Sequence, residues 1–274
     1  MYISMRKCLI LSVFLGFLAL PCFSQNNFFD NYVYQSWSAF GTLSGTTAND
    51  IYQTEDGFIN IGTYEGLVRF DGVEFTAINR SLDSDYEFVS VRTILQDSRG
   101  DIWLGSNDEG LQKISKTTGN KLYTTEDGLP NNSIRTLEED LNGNVWIGTA
   151  GGVVYLTPEG RLISPQFAPG TTANGVIASH IYCDSVGRIW LTISNEKGLF
   201  LYVNGVFRSL IEFEQFGRYF ATAIFQDSNG IYWIGLGDRG LFRMENGIAK
   251  KVVSNTILDS VPTCSILEDN GTIQ

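Results

Sequence analysis

Four aspartates, Asp97, Asp140, Asp184 and Asp227, each stand three residues before a glycine and six before a tryptophan, in the strings "DSRGDIW", "DLNGNVW", "DSVGRIW" and "DSNGIYW". An acidic loop beside an aromatic ring could hold calcium, serve as a general acid, or give a sugar a platform to stack on. Local rules point elsewhere. Asp at the first position of a type I turn bonds the backbone ahead of it, and Gly at the fourth tolerates positive φ, so these strings read as tight turns. The tryptophans follow inside a strand-like string rather than on a loop. They are therefore expected to fill the wedge between neighbouring structural units.

The strings recur with a period. Gly57, Gly100, Gly143, Gly187, Gly230 and Gly271 are spaced 43, 43, 44, 43 and 41 residues apart, and four of the chain's five tryptophans fall in one column, where the first repeat has Asn60. Within the second repeat, "VSVRTILQ", "DIWLGS", "LQKIS" and "LYTT" read as short strands separated by turns. Four strands in about 43 residues is the pattern of a propeller blade. The expected fold is all-β, a β-propeller of four-stranded blades with five full repeats and a partial sixth, hence an incomplete ring. An up-and-down barrel is the rival, and it has no reason to place one aromatic at every fourth strand. Gly62, Gly105, Gly148 and Gly235, two residues after the aromatic column, are expected to let backbones approach closely, and Thr192 breaks that column.

Blades of this kind put the Asp-Gly hairpins on one face and the remaining loops on the other. The second face is uneven in length, with links such as "TTEDGLPNN" and "SPQFAPGTTANG", and uneven loops on a rigid scaffold are where binding is built. The candidate ligand contacts lie there. "EFEQFGRYF" brings Phe213, Phe216, Arg218 and Tyr219 together, able to stack on a sugar ring or hold a carboxylate. Tyr64, Asn107, Asn195, Asp238 and Arg239 occupy the shorter loops, together with Glu65, Asp108, Glu109 and Glu196. His180, the sole histidine, falls on a first strand that lines the central channel, as a ligand contact or a general base. One histidine without a second His or a nearby Cys is a poor metal site, so no metal, cofactor or catalytic residue is assigned.

Composition removes other classes. The 274-residue chain has 19 Lys plus Arg against 30 Asp plus Glu, a net charge of −11, which argues against nucleic acid as a partner. Residues 1–24 carry Arg6 and Lys7 ahead of an apolar run from Leu9 to Leu20, the layout of a signal peptide, with cleavage expected after Ser24 and lipid attachment at Cys22 as the alternative. Residues 25–36 form an N-terminal segment and residues 37–274 the propeller. Cys183 and Cys264 are expected to be free thiols.

"GTYEGLVRFDGVEF" at 62–75, "YTTEDGLPNNSIRTLEEDLNGNVWIGTAGGV" at 123–153 and the D-x-x-G-x-I-W-I-G repeats resemble the two-component regulator propeller family. That resemblance implies an extracytoplasmic sensor, periplasmic or on the outer face, that binds a small molecule or oligosaccharide and passes its state to a histidine kinase or diguanylate cyclase. It also implies a full-length protein that is membrane-anchored and dimeric. The family's rings are commonly seven-bladed, so the chain is expected to be the N-terminal part of a longer protein, with a small complete propeller as the alternative. A secreted propeller enzyme of lyase or hydrolase type is the competing function, with His180 and Glu196 or Asp238 as its residues. A passive scaffold for protein association is a third. The sialidase Asp-box differs from this repeat, having one residue between Asp and Gly where two stand here.

Overall fold

Each repeat folds as an antiparallel meander, because its apolar residues alternate and its turn residues interrupt them every few positions. The computed structural model describes residues 47–78, 90–169, 177–194, 198–210, 221–252, 265–269 and 271–273. The first blade holds β1 (Ala48–Gln53), β2 (Ile59–Thr63), β3 (Gly66–Phe70) and β4 (Phe75–Ile78), paired in that order. The second holds β5 (Thr93–Gln96), β6 (Ile102–Gly105), β7 (Leu111–Ile114) and β8 (Lys121–Tyr123), and the third β9 (Ile134–Glu139), β10 (Val145–Thr149), β11 (Gly152–Leu156) and β12 (Leu162–Ile163).

The fourth sheet has five strands. A short β13 (Gln166–Phe167) precedes β14 (Ala178–Cys183), β15 (Ile189–Ile193), β16 (Leu199–Val203) and β17 (Val206–Ser209), and pairs in parallel with β17. The sequence pattern reads this stretch as part of a loop. It becomes a strand because Phe167 stacks on Phe207 at 5.0 Å and meets Phe200 edge-on at 5.9 Å, covering an otherwise bare outer edge. The fifth blade holds β18 (Ala221–Gln226), β19 (Tyr232–Leu236), β20 (Leu241–Glu245) and β21 (Ile248–Lys251), and a hairpin of β22 (Glu268–Asp269) and β23 (Thr272–Ile273) begins a sixth. No helix among the described residues is long and apolar enough to cross a membrane.

The inner strands β1, β5, β9, β14 and β18 lie side by side in succession. The blades therefore fan around an axis, and among the described residues the fan does not close into a ring. Its cores lie between blades. Trp103 packs with Leu137, Val145 and Val154 of the third blade, Trp146 with Ile181, Leu191 and Phe207 of the fourth, and Trp190 with Ile224 and Ile234 of the fifth. Trp103 and Trp146 are 0% and 1% exposed, as the wedge role demands. The glycines two residues on make this spacing possible: a Cβ on Gly105 would lie 2.6 Å from Ile134, and one on Gly148 2.5 Å from Thr136. Thr192, in the same place, is fully buried and its hydroxyl has no partner among the described residues.

Candidate functional site

Both ends of each inner strand carry polar side chains. At the hairpin end, the aspartate does more than shape its turn. Asp140 accepts from the backbone N–H groups of Asn142 and Asn144 at 2.9 and 3.0 Å through one oxygen, and from the Trp146 indole at 2.9 Å through the other. The same pattern joins Asp97 to Trp103 at 3.0 Å, Asp184 to Trp190 at 2.9 Å and Asp227 to Trp233 at 2.9 Å. Glycine at the fourth position has positive φ throughout, 75° at Gly143 and 82° at Gly100. Asp184 also accepts from Arg188 and from the Tyr232 hydroxyl of the next blade, each at 2.7 Å. Burial alone would raise its carboxyl; the bonds from Trp190, Tyr232 and Arg188 outweigh that and hold it below the usual carboxylate range. Each of these carboxylates is engaged in its corner by at least three hydrogen bonds.

The first blade keeps the device with different residues. Thr54 stands for the aspartate and Asn60 for the tryptophan, and Asn60 Nδ2 donates to Thr54 Oγ1 at 3.0 Å. The two columns thus change together. A second device joins blades at this end: the residue before the corner reaches back to the preceding turn. Gln96 accepts from Glu55 N at 2.8 Å, Glu139 from Ser98 N and Oγ at 2.7 and 2.8 Å, Gln226 from Ser185 N at 3.0 Å, and Glu268 from Ser228 N and Oγ at 2.8 and 2.7 Å. Cys183, a free thiol that burial pushes up to about 11, occupies this place in the fourth blade. A cleft of about 480 Å³ opens on this face beside Glu55, Gln96, Ser98 and Glu139, where the Glu55 N–H is bonded to Gln96 and Ser98 to Glu139.

Along the middle of the inner strands, side chains satisfy the bare backbone of the next blade. Asp50 accepts from Ile94 N at 2.7 Å, Glu138 from Cys183 N at 2.8 Å, and Tyr52 and Tyr182 donate to Gln96 O and Gln226 O at 3.2 and 3.4 Å. His180 belongs to this series. Its Nε2 lies 3.3 Å from Ile224 O, and burial pulls its pKa below the ordinary imidazole value against that bond.

At the opposite end, β1, β9, β14 and β18 bulge. The register slips between Ala48 and Asp50, between Ile134 and Thr136, between Ala178 and His180, and between Ala221 and Ala223. The extra residues are Asn49, Arg135, Ser179 and Thr222, and Arg92 holds the same place just before β5, its N–H bonded to Gly105 O at 2.8 Å. A bulge re-aims one side chain out of the strand's alternation. β5 begins at Thr93, after Ser90, Val91 and Arg92, where the apolar pattern extends the strand further back.

This end faces the links and the short loops where the candidate contacts were expected. Tyr64, in the β2–β3 loop, is 51% exposed. Asn107, in the β6–β7 loop, accepts from Arg92 Nη1 at 3.1 Å. Ile134 N, beside Arg135, donates to Ser106 O, beside Asn107, at 2.9 Å, and Val91 N, beside Arg92, donates to Thr63 O, beside Tyr64, at 2.8 Å, so adjacent blades bring Tyr64, Arg92, Asn107 and Arg135 to one end of the inner strands. Asp238 and Arg239 share the 3-10 turn Gly237–Arg239, and Arg239 is exposed. Asn195, Glu196, Phe213, Phe216, Arg218, Tyr219 and Cys264 lie outside the described residues. Arg92 and Arg135 were missed in the sequence because they sit inside apolar strand strings, and only the common place five residues before each corner could have revealed them. Among the described residues no cluster of His, Cys, Asp and Glu could hold a metal.

Residues 86–108 and 128–151, each spanning an inner strand with its approach or its corner, match the two component regulator propeller family. In those two stretches the chain matches two-component regulator propeller repeats. No curated protein matches it. Two extracellular domains of hybrid two component systems from B. thetaiotaomicron share the fold of these repeats. One has TM-score 0.66 at 23% identity over 81% of this chain and 31% of that one, and the other 0.57 at 21% over 82% and 36%. The chain thus spans about a third of their length. A catalytically inactive virginiamycin B lyase from Staphylococcus aureus, solved with quinupristin, is similar at TM-score 0.62 and 15% identity, over 84% of this chain and 83% of the lyase.

Proposed function

We propose that this chain is the ligand-sensing, non-catalytic part of an exported signalling protein of two-component or diguanylate cyclase type, and that its ligand meets the face bearing the bulges and links. The observation that carries the reading is the division of labour along the inner strands. At the hairpin end every repeat spends its polar groups on architecture; at the bulge end one backbone device presents a different side chain in each blade. The repeat match and the likeness to extracellular domains of hybrid two component systems support the same reading. In this reading the signal segment at residues 1–24 exports the propeller, and the bound state is relayed to an output enzyme in a membrane-anchored dimer.

A secreted lyase is the second reading, favoured by the likeness to the virginiamycin B lyase and by a histidine on an inner strand. The two separate in one experiment. Deleting the gene and recording transcripts while the cells are offered a panel of oligosaccharides and small acids should abolish one induced response. No transcriptional change, together with turnover of a panel compound by the purified protein, would replace the sensor by the enzyme.

A further inference from the structure

The ring of bulge residues is satisfied at four places and open at one. Asn49 Nδ2 donates to Val91 O at 2.9 Å, Ser179 Oγ meets Ser194 Oγ at 2.6 Å, Arg92 is bonded to Asn107, and Thr222 is engaged. Arg135 differs: its Nε is buried and has no hydrogen-bond partner among the described residues. Arg92 holds the equivalent place just before β5, the inner strand packed beside β9, so two arginines neighbour each other in a chain of net charge −11. Arg69, Arg99, Arg161, Arg188 and Arg243 each have a carboxylate within 4 Å, whereas among the described residues Arg92 and Arg135, like the exposed Arg208, have none.

The unmet atoms share a chemical sense. Asn107 spends its Oδ1 on Arg92, and its Nδ2 is buried without an acceptor. Arg135 Nε and Asn107 Nδ2 are both donors. A buried donor left open costs free energy; Arg69 Nε and Thr192 Oγ1 are single open atoms elsewhere in the blades, whereas at this end two donors are open on adjacent blades. Two guanidiniums, an amide N–H and the nearby Tyr64 hydroxyl ask for the converse group, an oxyanion.

We propose that Arg92, Arg135 and Asn107, with Tyr64 at the rim, form an oxyanion site at the bulge end of the inner strands, for the carboxylate of a sugar acid or the phosphate of an ester. The site specifies the ligand class of the sensing face and rests on that reading for its biological meaning. The probes are glucuronate, inorganic phosphate and neutral glucose, titrated calorimetrically into the whole chain at low salt. Glucuronate or phosphate should bind and glucose should not; the tighter of the two anions tells which source the site reads. Arg135→Gln and Arg92→Gln should each weaken anion binding at least tenfold with the thermal midpoint kept, Arg135→Lys should lose less, and Arg161→Gln, an exposed residue paired with Glu159 at 3.8 Å, should change nothing. No anion binding, equal binding of glucose, or undiminished affinity in Arg135→Gln would overturn the site. Anion binding without any effect on signalling by the full-length protein would sink the sensor reading and leave the site. Signalling that Arg135→Gln leaves intact would do the reverse.

Discussion

The two ends of an inner strand are built on opposite rules. At the hairpin end the residues repeat and so do their bonds: in four successive blades the Asp carboxylate accepts from two backbone N–H groups of its turn and from the Trp indole. At the bulge end the backbone repeats and the residues do not: Asn49, Arg92, Arg135, Ser179 and Thr222 hold one place in five repeats. Recurring side chains maintain a shape, since each blade needs the same corner to wedge its tryptophan against the next. A recurring backbone with changing side chains maintains a position while freeing its chemistry, which is what a binding surface on a rigid scaffold requires. The first blade sharpens the contrast. Thr54 and Asn60 replace Asp and Trp together, so the corner changes only as a bonded pair.

The comparison breaks most readily at the hairpin end, where the largest effects are expected. Trp146→Ala should destabilise by about 3–5 kcal/mol in urea unfolding, as truncation of a fully buried large aromatic does; an unchanged midpoint would remove the wedge role. Asp184→Ala leaves the Trp190 indole, the Tyr232 hydroxyl and two backbone N–H groups without their acceptor, and should cost about 2–3 kcal/mol. Thr54→Ala in the first blade should cost only about 1 kcal/mol by the same measurement. Equal losses would mean that the aspartate corner is no stronger than its replacement.

A smaller, pH-dependent effect is expected in the middle of the strand. Burial pushes the Glu138 carboxyl up to about 7, from 4.5, while the Cys183 N–H opposes the shift. The folded chain therefore binds the extra proton between these values, and stability falls as pH rises from 4.5 towards 7. Glu138→Gln should raise the thermal midpoint by roughly 3 °C at pH 8 and leave it unchanged at pH 4. A gain of the same size at both pH values would place the effect in packing instead. The smallest effect belongs to the bulge end: Arg135→Gln should change stability by less than about 0.5 kcal/mol, or raise it, because no partner is lost. A loss comparable to that of Asp184→Ala would make Arg135 a structural residue and erase the distinction between the two ends.

Much of this was legible in the residues. The turn rule for Asp and Gly, the aromatic column and the glycines two places on gave the blade, its corner and its wedge, and the structure bears these out at Asp140, Trp146 and Gly148. Tyr64 and Asn107 lie in the short loops that the repeat pattern marks out, at the bulge end of the inner strands. The indole bond to the aspartate was not foreseen, because a spacing of six residues says nothing about contact until the strand doubles back. The strand at Gln166–Phe167 was read as loop because its pairing depends on Phe207, forty residues away.

The sequence by itself determined the repeat, the strand-turn grammar and the face on which variation collects, because those follow from backbone preferences and apolar alternation within a few residues. Only the tertiary structure decided which side chains are spent and which remain available. Hydrogen-bond satisfaction is a property of neighbours brought from adjacent blades: it closes Asp184 and His180 into the scaffold, and it leaves Arg135, indistinguishable in the sequence from any other strand arginine, with a donor still unmet.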